Sequence, residues 1–161
     1  MLNRRTCPSY GANESDRVSL YLADTSIWAW ANKGSRPDIT EKLASRLEDG
    51  EVATCVPVAL EVMHRAKTGN EYAELFHTLL VPLRWLDLDE SSGLRALEVQ
   101  SELAGGKHGN HRRPAVDYLI AAIAELNEDA VISWFFDKDL RVICEHTGQP
   151  YQAESSAKAG R

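Results

Sequence analysis

Residues 114–140 read PAVDYLIAAIAELNEDAVISWFFDKDL, and the order of patterns in them sets the fold class. Proline is favoured in the first turn of a helix, and the small apolar residues that follow predict a helix over Pro114–Asn127. The continuous apolar run Ala130–Phe136 predicts a buried strand, and a short helix is expected over Leu140–Thr147. A helix, a strand and a helix in succession are typical of an α/β protein.

The same alternation continues towards the amino terminus and once more towards the carboxyl terminus. Short apolar runs predict further strands at Val18–Ala23, Val52–Val56, Leu83–Leu86 and Pro150–Ala153. Helices are expected between them, with start or stop signals at Pro37, Gly50, Pro57, Gly69, Asn70 and Asp89; the helix that starts at Pro57 is expected to run to Lys67. We predict a three-layer α/β/α sandwich with a mostly parallel central sheet, whose ligands bind at the carboxyl ends of the strands.

Length and composition fit one folded domain. The chain has 161 residues, of which 43% are hydrophobic and 26% charged, as in ordinary globular proteins. We assign residues 18–152 to this domain. Residues 1–17 and 153–161 are polar and show neither a helical nor a strand period, so we expect a mobile extension and a mobile tail.

Charge and cysteine usage bound the environment. The three cysteines, Cys7, Cys55 and Cys144, lack zinc-ligand spacing and form no disulfide pattern. No apolar run is long enough for a signal peptide or a membrane span, which predicts a cytoplasmic protein with no membrane association. The net charge of −6 argues against nucleic-acid binding, unless several carboxylates hold a metal ion that reverses the local field.

Carboxylates follow several of the predicted strands. Asp24 comes directly after Val18–Ala23, and Asp137 and Asp139 come after the strand that starts at Ala130. Glu61 lies early in the helix that follows the second strand, among apolar neighbours. Each residue also has an ordinary interpretation, as a helix cap, a turn residue, a complement to the helix dipole or, for Glu61, an ion pair with Arg65.

Asp117 is the most informative of these acids. It lies in the first turn of a helix whose later turns are almost wholly apolar and small, which predicts burial on most sides. A buried charge is very costly without a partner, so either a metal ion or an arginine is expected beside it. Because parallel strands end at one edge of a sheet, the acids are expected to converge there. A cluster of oxygen ligands without sulfur or imidazole favours Mg²⁺ or Mn²⁺.

Four segments, taken in order, resemble the PIN-domain family and, within it, the VapC toxins. They are residues 22–26 (LADTS), 59–62 (ALEV), 113–122 (RPAVDYLIAA) and 136–140 (FDKDL). The resemblance covers about 130 residues, from Val18 to Pro150. It implies a PIN fold, dependence on Mg²⁺ or Mn²⁺, endoribonuclease activity, a small antitoxin partner and homodimers.

The resemblance also implies roles for single residues. Asp24, Glu61, Asp117 and Asp137 match the metal-binding and catalytic acids, and Asp139 matches an auxiliary metal ligand. The family often has Thr or His shortly before the fourth acid, whereas Trp134-Phe135-Phe136 stand there in this chain.

Basic and aromatic residues suggest how RNA is held. Lys107, Arg112 and Arg113 belong to the densest basic segment of this acidic chain, which predicts RNA contacts, although a solvated loop explains the segment equally well. The tryptophans are candidates for base stacking or for a protein interface, with core packing as the ordinary alternative.

Three other functions are compatible with parts of the pattern. One is a catalytically silent PIN-like binding module that acts in an antitoxin–DNA repressor complex. A second is a phosphatase of the haloacid dehalogenase type, but Asp24-Thr25-Ser26 lacks the second aspartate that such enzymes carry after their first strand. A third is a flap-type DNA nuclease, for whose arch and duplex-binding elements the chain is too short.

Overall fold

The computed structural model describes residues 19–33, 36–106, 110–134 and 137–153. Within these ranges five strands form one parallel sheet, in the order β3-β2-β1-β4-β5. The strands are β1 (Leu20–Ala23), β2 (Val52–Cys55), β3 (Arg84–Leu86), β4 (Ala130–Trp134) and β5 (Tyr151–Ala153). The predicted parallel sheet is therefore confirmed, including the edge strand near Pro150.

Helices connect the strands and complete the predicted α/β/α layers. They are α1 (Thr25–Lys33), α2 (Pro37–Glu48), α3 (Val56–Met63), α4 (Gly69–Leu75), α5 (Glu90–Gly105), α6 (Ala115–Glu125) and α7 (Lys138–Thr147). A π-helical turn, Phe76–Leu80, continues α4. In the described parts of the chain, no helix combines the length and apolarity needed to cross a bilayer.

The central strands and α6 form the core. Leu22, Ala53 and Ile132, on three neighbouring strands, are completely buried, as are Ile120 and Ile123 on α6. Parallel strands covered on both faces need apolar residues on both faces, which explains why these strands are continuous apolar runs.

Several element boundaries differ from the predicted ones because local capping decides them. Helix α3 ends at Met63 rather than Lys67. The next helix is capped by Thr68, not Asn70, since the Thr68 hydroxyl accepts a hydrogen bond from the Glu71 amide at 3.1 Å. Helix α7 begins at Lys138, two residues before the predicted start, because Asp137 caps it.

Other boundaries agree with the sequence. Asp89 forms a capping box with Ser92 at the start of α5. Gly148 ends α7 in the left-handed conformation, at φ 78°, which glycine adopts without a steric penalty. The predicted mobile extension lies outside the described residues, and so does the predicted tail, except for Ala153 in β5.

The strand order creates a crevice between the carboxyl ends of β1 and β4. After β1 the chain moves outward through β2 and β3, and then returns to the other side of β1 to form β4 and β5. The carboxyl ends of β1 and β4 therefore flank a topological switch point, where a crevice opens because the connecting segments leave in opposite directions. Ligands of α/β proteins bind at such crevices.

Candidate active site

Asp24 and Asp137 lie on either side of this crevice. Asp24 follows β1 directly, and its amide donates a 2.9 Å hydrogen bond to the carbonyl of Ser133 on β4. Asp24 is 4% exposed and accepts a hydrogen bond from the Ser26 amide at 3.0 Å. Burial raises the pKa of Asp24, and the nearby carboxylate of Asp137 raises it further, against the hydrogen bonds from Ser26.

Asp137 joins this crevice to α7. Its Oδ1 atom accepts hydrogen bonds from the amides of Asp139 at 2.9 Å and Leu140 at 2.8 Å. Its Oδ2 atom makes no hydrogen bond with a described residue. One oxygen therefore caps the helix, while the other is available to a ligand.

Asp117 is held at the start of α6 and is 8% exposed. Its side chain makes no hydrogen bond or ion pair with any residue that the structure describes, so the arginine partner considered from the sequence is absent there. Burial is the main cause that raises the pKa of Asp117 to about 8. The surrounding carboxylates raise it further: Asp137, Asp24, Asp139 and Glu61.

Glu61 differs from its expected environment. It lies in the second turn of α3 and its side chain is exposed, whereas the sequence suggested that apolar neighbours surround it. The hydroxyl of Thr25 donates a 2.5 Å hydrogen bond to Glu61 Oε2, and Oε1 has no partner among the described residues. Arg65 makes no ion pair with Glu61, so the ordinary interpretation of this pair does not hold.

Asp139, the predicted auxiliary ligand, differs from the other acids because it has a cationic partner. Arg113, whose side chain is 14% exposed, forms an ion pair with Asp139 Oδ1. The Arg113 Nε atom also donates to the carbonyl of Asn110 at 3.0 Å. Asp139 remains a predicted auxiliary ligand, but in this structure its carboxylate is engaged with Arg113.

The side chains of Asp24, Glu61, Asp117 and Asp137 have the oxygen ligands that a divalent cation such as Mg²⁺ prefers. Two of them, Asp24 and Asp117, are buried carboxylates without a cationic partner among the described residues, a costly state that a bound cation relieves. The described residues contain no preassembled group of three or more His, Cys, Asp or Glu side chains that could hold a metal ion as they stand. The side chains must therefore rearrange to bring their oxygens around one ion, whose charge would offset the repulsion between the carboxylates.

The structure describes only some of the basic and aromatic residues that the sequence suggested for RNA binding. Lys107 lies outside the described residues, as do Phe135 and Phe136. Arg112 is exposed and makes no ion pair with a described residue, so it stays a predicted RNA contact. Trp28 is buried at 3% exposure and its indole donates to the Ala23 carbonyl at 3.2 Å, which confirms core packing rather than base stacking for this tryptophan.

Thr25 is the residue of this site that the sequence did not single out. It lies between Asp24 and Ser26, after the carboxyl end of β1, and it is the first residue of α1. A hydroxyl residue directly after a candidate metal ligand was the sequence feature that could have identified it. The contact with Glu61 spans 36 residues, and no local pattern reveals such a pair.

The raised pKa of Asp117 predicts how the metal-free protein responds to pH. The folded state holds this proton more tightly than the unfolded state, so between about pH 4 and pH 8 folding binds protons and stability falls as the pH rises. We expect Asp117→Asn to make this slope shallower, because only the raised pKa of Asp24 then contributes to it, and to raise the free energy of unfolding at pH 8 by about 2 kcal/mol, or roughly 5 °C in Tm. Thermal unfolding in EDTA across this range measures the effect. An unchanged slope in Asp117→Asn would contradict it, and Asp49→Asn is the control.

Comparison with known proteins agrees with this geometry. A family model described as the PIN domain matches residues 21–145. No curated protein matches the chain in sequence. Similar solved structures include DNA-bound VapBC from Salmonella typhimurium, with 14% identity, a TM-score of 0.66 and coverage of 84% of this chain and 98% of that chain. VapBC2 from Rickettsia felis, bound to a promoter DNA fragment, has 17% identity, a TM-score of 0.66 and coverage of 84% and 99%.

A third similar structure, FitAcB from Neisseria gonorrhoeae, has 17% identity, a TM-score of 0.60 and coverage of 82% of this chain and 96% of that chain. At these identities the likeness describes the fold. The carboxyl-edge crevice of β1 and β4 lies inside the region that the family model matches.

Proposed function

This chain belongs to the PIN-domain family, and on that premise we propose that it is an endoribonuclease dependent on Mg²⁺ or Mn²⁺ and the toxin of a toxin–antitoxin pair. The observation that carries the proposal is the environment of Asp117. A buried carboxylate that faces other acids, with no cation beside it in the described residues, is suited to binding a divalent metal ion.

In this proposal the metal would be held by carboxylate oxygens of Asp24, Asp117, Glu61 and Asp137. The chemistry that Mg²⁺ or Mn²⁺ would supply there is a lower pKa of a water molecule and a positive charge that offsets negative charge at a phosphodiester. Thr25 holds the Glu61 carboxylate by one oxygen and leaves the other free. Asp137 in the same way uses one oxygen for the helix start and presents the other.

One exposed cation and the net charge of the chain bear on RNA as the substrate in this proposal. Arg112 is exposed and has no described ionic partner, so it can meet a phosphate. A net charge of −6 makes RNA binding without a metal ion unfavourable, so the metal is expected to be required for binding as well as for cleavage.

The partners follow the same reasoning. The similar structures include VapBC assemblies, two of them bound to DNA, and we propose that this chain likewise binds a small antitoxin, forms homodimers and acts in the cytoplasm. Those DNA-bound assemblies also favour the second candidate, a catalytically silent module in a DNA-bound complex.

The test is incubation of purified, antitoxin-free protein with total RNA, with and without Mg²⁺ or Mn²⁺. We expect cleavage at discrete sites that requires the metal and is lost in Asp24→Asn. The matched control is Asp49→Asn, an exposed aspartate at the end of α2, near the opposite edge of the sheet, which is expected to cut like the wild type. Intact RNA in every metal condition, with metal binding retained, would favour the binding module.

A further inference from the structure

A large apolar cavity opens beside Glu61. It has a volume of about 560 Å³, and α3, α6 and the segment after β3 form its walls. Its apolar walls come mainly from Leu60, Leu88, Val116 and Leu119, and Thr25 and Glu61 border it on one side. The cavity is therefore continuous with the candidate metal site.

The lining of this cavity includes one cationic side chain, Arg65, and the imidazole of His64. His64 and Arg65, at the end of α3, are exposed, and neither side chain has a hydrogen-bond or ionic partner among the described residues. In a chain with a net charge of −6, the Arg65 guanidinium next to a carboxylate cluster is suited to an anion that approaches those acids.

We propose that this cavity binds one nucleobase of the single-stranded RNA substrate, next to the phosphodiester held at the acids. The inference rests on the proposed nuclease function. The volume lies in the range of small-molecule sites, about 300–1,000 Å³, and accommodates a base that is turned out of its strand. Apolar side chains hold such bases by their faces, and an arginine stacks on a base or pairs with a flanking phosphate.

The geometry assigns a part to each wall. The phosphate lies by Glu61 and Asp117, the base turns towards Leu60 and Val116, and the next phosphate meets Arg65. Because the side chains of Leu60, Leu88, Val116 and Leu119 have no hydrogen-bonding atoms, these walls offer no donor or acceptor to the edge of the base. The cavity thus requires a base at this position while discriminating weakly among the four bases.

An apolar helix of a protein partner is the competing occupant. Two features favour the base: the border shared with Thr25 and Glu61, and the guanidinium of Arg65, which has no ionic partner among the described residues. A helix-binding groove needs neither feature, since apolar anchors alone supply its affinity.

The test measures binding separately from cleavage. Wild-type protein is titrated in Mg²⁺ with a short fluorescent single-stranded RNA whose phosphorothioate linkages resist cleavage, and with copies that carry one abasic nucleotide at each position in turn. We expect one abasic position to weaken binding by about tenfold, the loss typical of one stacked base. Base changes at that position are expected to matter much less.

Two matched pairs of variants locate the effect. Leu60 and Leu97 are both exposed leucines on helices, at 64% and 63%, but only Leu60 borders the cavity. Leu60→Asp is expected to weaken binding of the intact RNA about tenfold and to remove the abasic effect, whereas Leu97→Asp changes neither. Arg65→Ala is expected to weaken binding, with Arg84→Ala as its control, because Arg84 lies at the start of β3.

A flat abasic scan, or no RNA binding at all, would overturn the base site. An abasic effect that persists in Leu60→Asp, together with loss of self-association or partner binding in that variant, would assign the cavity to a protein interface. If wild-type protein cuts RNA but the scan is flat, only this inference fails. If nothing is cut but the abasic effect is present, the nuclease proposal fails and the base site stands.

Discussion

Replacing Asp117 by asparagine is expected to abolish most metal-dependent RNA cleavage while leaving the fold intact. Asparagine has nearly the same shape, but it lacks the charge that binds a divalent cation. Loss of a group that only supports a metal ligand costs about 10–100-fold in metal affinity or activity, so loss of a buried ligand is expected to cost more, on the order of 10³-fold. Initial cleavage rates at saturating Mg²⁺ measure this loss.

A second readout separates loss of metal from loss of structure. If the site holds Mg²⁺, the ion is expected to raise the Tm of the folded wild type, whereas Asp117→Asn is expected to gain little. The wild-type shift is expected to grow as the pH rises towards 8, because metal binding must displace the Asp117 proton. Cleavage by Asp117→Asn at more than about a tenth of the wild-type rate would contradict a ligand role for Asp117.

Local sequence patterns were sufficient to predict which acids lie at the carboxyl ends of the strands. Asp24 and Asp137 each follow a continuous apolar run, and parallel strands bring the residues after such runs to one edge. The burial of Asp117 was also predictable from the sequence, because the turns of α6 that follow it are apolar, and the structure shows this burial. These conclusions need only the periodicity of a single segment and the general geometry of a parallel sheet.

Contacts between residues far apart in the chain could not be predicted from local sequence patterns. Thr25 binds Glu61, and Arg113 binds Asp139, across 36 and 26 residues. The basic segment before α6 predicted an RNA contact for Arg113, and nothing in that segment shows that Asp139 will face it. Exposure of Glu61 was also missed, since its apolar neighbours in sequence lie on other sides of the helix.

Helix ends form an intermediate case. Asp89 was identified as a cap because the residues that complete its capping box are local. Asp137 was weighed as a cap and as a metal ligand, and the structure shows one of its oxygens in the first role. The two interpretations are compatible, because a carboxylate has a second oxygen.

Arg113 carries the second large prediction. It ties the loop before α6, through the Asn110 carbonyl, to Asp139 at the start of α7. Helix α6 bears Asp117, and the Asp139 amide holds Asp137, so this bridge fixes the spacing of two predicted metal ligands. We expect Arg113→Ala to weaken Mg²⁺ binding by about 10–100-fold, as for other residues that support metal ligands.

The measurement is a Mg²⁺ titration followed by thermal shift and by cleavage rate. Arg113→Lys is expected to recover only part of the affinity, because one ammonium group cannot reach both Asn110 and Asp139 as the planar guanidinium does. The Arg112→Ala variant is the matched control, since Arg112 is exposed and has no described ionic partner. Its Mg²⁺ affinity is expected to equal that of the wild type.

The same variants decide between the two roles of Arg113. A phosphate contact acts on RNA binding, so its loss raises KM and lowers the salt dependence of binding without changing the affinity for Mg²⁺. A bridge between two ligand-bearing elements acts on the metal first, and excess Mg²⁺ then restores much of the cleavage rate. Because the Arg113 side chain is only 14% exposed and its charge is engaged with Asp139, we expect the metal-dependent pattern. An increase in KM with unchanged Mg²⁺ affinity would instead return Arg113 to the RNA-binding role predicted from the basic segment.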